Sequence, residues 1–66
     1  MLKEKIGQDA GLVWAALENK GRLELKALKT ATKLKDKELM LALGWLAREG
    51  KLAFEEAEKD LRIHLA

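Results

Sequence analysis

Leu39, Ala42, Leu43 and Leu46 recur at the i, i+3, i+4, i+7 spacing of a buried helical stripe. The helix they predict opens at about Asp36 and closes at Gly50, which follows Arg48-Glu49 and suits the left-handed position after a helix. Beyond it the period falls to two. Leu52 and Phe54 alternate with Ala53 and Glu55, and Leu61, Ile63 and Leu65 alternate with Arg62 and His64. That is the rhythm of two strands, at 51–55 and 61–65, paired as a hairpin. The tip, Glu56 to Asp60, has no Asn-Gly or Asp-Gly, so a looser loop of four or five residues is expected.

Upstream, Ile6, Ala10, Val13, Trp14 and Leu17 form the apolar stripe of a first helix running from about Gly7 to Asn19. Met1 to Lys5 is a charged lead expected to fray. Gly7 and Gly11 each cost about 1 kcal/mol if they are interior, unless they admit a close neighbour. Asn19-Lys20-Gly21 is a stop signal, with Gly21 just past the helix end. Arg22-Leu23-Glu24 is too short for a helix and fits a small strand pairing with the later ribbon. A second helix, 25–32, places Leu25, Leu28 and Ala31 inward and Lys26 and Lys29 outside. Residues 32–35 form a turn with Leu34 as its apolar plug. Lys35 stands three before Glu38 where a capping box has Ser or Thr, so Asp36 is expected to serve the helix start alone.

The order is helix, strand, helix, helix, strand, strand. A long third helix feeding a β-ribbon is the layout of an α+β winged helix-turn-helix, here a single domain over 1–66 with no repeat or linker. Composition narrows the class. A chain of 66 residues has one small core, and folding removes only about 60% of its unfolded surface from water. A hydrophobic content of 48% is too high for a disordered tail. The sequence has no cysteine, so disulfides and thiolate metal sites are excluded. No apolar run approaches the roughly 20 residues of a membrane span, and no signal-peptide pattern opens the chain, so a cytoplasmic domain is expected. Proline, serine and tyrosine are also absent while Ala, Leu, Lys and Glu dominate. That bias fits an engineered scaffold without biological function as well as a natural chain of skewed usage.

The stretch IGQDAGLVWAAL, Ile6 to Leu17, together with LALGWLAREGKL, Leu41 to Leu52, resembles a small prokaryotic family of winged helix-turn-helix domains of uncharacterised function. Gly11, Trp14, Leu43, Gly44, Trp45, Leu46, Ala47, Arg48, Glu49 and Gly50 carry the resemblance most distinctly, and it extends over nearly the whole chain. It implies the fold. It brings no catalytic residue, cofactor or ligand.

The net charge of +2 is unevenly spread. From Lys20 to Lys37 seven basic residues stand against Glu24 and Asp36; from Glu49 to Asp60 five acids stand against Lys51 and Lys59. The middle is basic and the wing acidic. Catalysis finds no footing. His64 is the one histidine, it faces outward, and no serine or cysteine is present as a nucleophile. Neither a metal, a cofactor nor a small-molecule ligand is expected. Nucleic acid is a better case. Lys26, Lys29, Lys33, Lys35 and Lys37, with Arg48, could meet phosphate. Against it, the groove-reading face has no Asn, Gln or Arg before Arg48 for bidentate base contacts, and Glu38 and the wing carry the wrong sign.

Protein contact is the leading expectation. Once Leu39, Ala42, Leu43 and Leu46 fill the core, Met40, Leu41 and Trp45 are left outward around Gly44. Methionine and tryptophan on an exposed patch are typical of an interface, and a mid-helix glycine admits a close partner. The competing reading folds Trp45 back under the wing as satellite core. The expected function is non-enzymatic self-association on the third-helix face, with a homodimer as the simplest partner. A DNA-binding regulator docking through its lysines is the alternative.

Overall fold

The computed structural model describes residues 2–56 and 58–66. Helix α1 spans Leu2–Lys20, strand β1 Arg22–Glu24, α2 Leu25–Thr32, α3 Asp36–Arg48, β2 Leu52–Glu56 and β3 Leu61–Leu65. The element order is the one the periodicity predicts. The three strands form one antiparallel sheet in the order β1-β3-β2. Leu23 stands opposite Ile63, and Ile63 opposite Phe54. The helices cover the sheet face that carries Ile63, which is fully buried.

One core joins all three helices and the sheet. It contains Ala10, Val13 and Leu17 of α1, Leu28 of α2, Leu34 of the turn, the whole α3 stripe of Leu39, Ala42, Leu43 and Leu46, and Leu52 and Ile63 of the ribbon. Leu34 is the expected plug between α2 and α3. Ile6 and Trp14 are half-buried at the edge of the α1 stripe.

The helix ends follow their signals. Gly21 has φ +85°, and its N–H donates to the Leu17 carbonyl at 2.7 Å. Gly50 has φ +70°; its N–H donates to Ala47 O at 3.0 Å and the Lys51 N–H to Leu46 O at 3.0 Å. That pair of bonds is a Schellman motif, which satisfies two carbonyls the end of α3 would leave open.

Four expectations are corrected. First, α1 spans Leu2–Lys20, so Leu2 to Lys5 of the lead are helical and Gly7 and Gly11 are interior, while Met1 lies outside the described residues. Lys5 explains this: its Nζ lies 3.0 Å from a carboxylate oxygen of Asp9 one turn on and 3.0 Å from Glu38 of α3. A turn with a tertiary partner does not fray as a free lead does. Second, Ala31 is exposed. The inner line of α2 runs instead through Leu25, Leu28 and Thr32, whose hydroxyl donates to Leu28 O at 2.9 Å.

Third, Asp36 does not serve the start of α3 alone. Glu38 reaches back to accept the Lys35 N–H at 2.9 Å, one half of a capping box. A lysine side chain has no acceptor to supply the other half. Asp36 meanwhile pairs with Lys29 across the turn at 2.7 Å. Fourth, the first ribbon strand is shifted by one residue, to Leu52–Glu56, because Lys51 completes the Schellman turn. The loop expected at the tip contains Ala57, which lies outside the described residues.

Candidate protein-contact face

The buried stripe of α3 leaves its opposite side to solvent. Met40 is 49% exposed, Leu41 38% and Trp45 37%, and Gly44 stands among them. At about 100° per residue, Met40 and Trp45 are some 140° apart around the helix, with Leu41 and Gly44 between. They are therefore the two shoulders of a broad face. Each shoulder lines its own hollow. Trp45 borders one of about 260 Å³ with Trp14 and the Gly7–Gly11 segment of α1, closed on one side by Lys51. The Lys51 Nζ lies 5.5 Å from the Trp14 ring centroid, a cation–π distance. Trp45 thus leans toward α1, not under the wing.

Met40 borders the second hollow, of about 280 Å³, at the junction of α2, α3 and the wing. Leu25 and Leu39 form its apolar part, and Lys26, Lys29, Asp36, Lys59 and Asp60 its charged margin. Here the wing touches α2. The Asp60 carboxylate accepts the Leu61 N–H at 2.7 Å and approaches the Lys26 N–H at 3.5 Å, beside the positive end of α2.

Glycine 44 has no intramolecular reason to lack a side chain: a Cβ there meets nothing within 4 Å. Of the lysines expected to meet phosphate, Lys29 is engaged by Asp36. Lys26, Lys33, Lys35, Lys37 and Arg48 are exposed and form no ion pair among the described residues. Lys33 holds the turn in the left-handed region, at φ 61°.

Two charged clusters escape sequence reasoning. Asp9 is buried, 5% exposed, and its carboxylate accepts both contacts from Lys5 at 3.0 Å. Glu38 is held below the usual carboxylate range, first by the Lys35 backbone N–H and then by Lys5. Lys5 is raised by its bonds to Asp9 and Glu38. The i, i+4 spacing of Lys5 and Asp9 is a usable signal, but nothing in the sequence links them to Glu38. The second cluster is on the outer sheet face, where Glu55 lies 3.8 Å from Arg22 and 3.7 Å from His64. His64 Nδ1 is also 3.0 Å from Leu65 O. Among the described residues no group of three His, Cys, Asp or Glu side chains is placed to hold a metal ion. No described helix is long and apolar enough to cross a membrane.

No curated protein matches the chain. The protein BT2368 of Bacteroides thetaiotaomicron, solved by solution NMR as a structural-genomics target, is similar in structure with a TM-score of 0.83. It is 35% identical in sequence, over 98% of this chain and 79% of that one. The model of a winged helix-turn-helix family, DUF2582, matches residues 1–65, with the helix-strand-helix-helix-strand-strand order seen here, and the chain belongs to that family.

Proposed function

We propose that this domain works by protein contact, with a second copy of the chain covering the α3 face formed by Met40, Leu41, Gly44 and Trp45. The observation that carries the reading is the exposure of three large apolar side chains on the side of α3 that would read DNA in a helix-turn-helix. Burying that face offsets the small core, since association stabilises the folded state by mass action. Gly44 fits this use, because its open surface lets a partner backbone approach.

A second reading rests on Lys26, Lys33, Lys35, Lys37 and Arg48, exposed and without ion pairs among the described residues, which could neutralise phosphates. It makes the domain a DNA-binding regulator. The acidic wing and the apolar α3 face disfavour it.

Sedimentation across a concentration series, followed by titration of duplex DNA at two salt concentrations, separates the two. A dimer that Leu41→Lys converts to a folded monomer supports the first. Leu41 is the better probe than Trp45, because the Trp45 ring also borders α1. A monomer at millimolar concentration that binds duplex with a steep salt slope reverses the ranking.

A further inference from the structure

We infer that the partner of the α3 face is approached wing-first: the acidic wing of a second copy lies on the basic α2–α3 turn of this one, and the reverse. This rests on the self-association reading and specifies its geometry. Three observations carry it. The turn presents Lys33, Lys35 and Lys37 exposed and without ion-pair partners among the described residues. The wing presents Glu56 and Glu58, equally exposed and unpaired there, whereas Glu55 is engaged by Arg22. The hollow bordered by Met40 runs from Asp36, at the end of the turn, to Lys59 and Asp60 at the base of the wing, with Lys26 and Lys29 on its α2 margin.

Opposite charges on adjacent patches suit a two-fold contact. A dyad running between them sets acid on base twice, because residue i meeting j requires j to meet i. Like-charged arrangements, wing on wing or turn on turn, are repelled, so the charges select the register. The dyad passes near Met40, bringing the exposed shoulders of the two α3 helices together with Leu41 and Gly44 beside them. Apolar contact supplies the centre and the charge pairs its rim, the usual anatomy of an interface.

Charge-swapped variants test this. Lys33→Glu with Lys37→Glu makes one chain, and Glu56→Lys with Glu58→Lys the other. All four positions are exposed, and circular dichroism confirms the fold of each. Either variant alone is expected to raise the dimer Kd by about tenfold or more. Mixed in equal amounts they are expected to form a heterodimer of near-parental affinity, since both contacts then join unlike charges. The parental dimer should also weaken as sodium chloride rises from about 50 mM to about 500 mM, which screens the rim pairs. If the parent dimerises and the variants dimerise equally well, the wing is elsewhere and this inference fails while the self-association reading stands. If the parent is a monomer throughout, both fail. Weakened variants that do not recover on mixing also overturn it, because the charges then act other than across a wing–turn contact.

Discussion

Gly11 stands inside α1, and the Cβ of an alanine there would meet nothing within 4 Å. The sequence admits two accounts of this glycine, close packing or plain helix cost, and the open surroundings select the second. Gly11→Ala should therefore stabilise the domain by about 1 kcal/mol, read from urea unfolding. A loss of stability would show that a partner chain needs the space. Gly50 is the contrasting case, since its φ of +70° favours glycine whatever the room around it. Glu38 gives a pH effect of fixed sign. Its folded pKa is lowered, by the Lys35 N–H first, so its contribution is present above the unfolded value of about 4.5 and lost as pH falls through the folded one. Glu38→Gln should remove that part of the acid limb, so parent and variant stabilities converge as pH falls from 4.5 through the lowered folded pKa. Lys5 acts at the other end: its pKa is raised from 10.5, so its share is complete below that value and lost as pH rises through the folded pKa. An unchanged acid limb in Glu38→Gln would mean that the Lys5 and Lys35 bonds do not persist in solution.

Helix α3 was the most legible element because its pattern is long and its stop signal strong. All four residues of its stripe are buried, and both C-terminal bonds form around Gly50. Leu46→Ala should cost about 2–5 kcal/mol, as it empties a site between α1 and the ribbon. Thermal unfolding unchanged by that substitution would contradict the packing described. Shorter elements are less legible. In α2, eight residues carry barely two turns; Leu25 and Leu28 mark the inner side correctly, while Ala31 misleads because an alanine reports weakly on which side is buried. The α1 start was hidden because tertiary pairing of Lys5 with Glu38, not local propensity, holds it. The exposed residues of the candidate face could be named from the stripe they lie outside. The 140° between Met40 and Trp45 follows from helical geometry, but the hollow each shoulder borders could not be read, because it depends on which neighbours flank α3.

At the scale of the whole molecule, the distribution of charge bears on any contact with nucleic acid. The family fold presents a helix that can enter a major groove, and the turn before it is basic. Yet the wing, which flanks that helix on β2 and β3, adds Glu56 and Glu58, both exposed. On a duplex these would lie near phosphate and oppose the lysines at short range, where salt screens least. Any affinity for a duplex would then depend on the wing as much as on the turn. Replacing both acids, Glu56→Lys with Glu58→Lys, should raise duplex affinity and steepen the dependence of log K on log salt by about one to two units, since each new phosphate contact adds about 0.9. The gain should be indifferent to sequence, because lysines at the wing touch backbone and not base edges. Fluorescence anisotropy with two unrelated duplexes at two salt concentrations measures both quantities. A variant that binds no better than the parent would show that the wing does not face a duplex at all. In that event the acids of the wing stand clear of any duplex the turn contacts, and they are left to meet the basic residues of another protein.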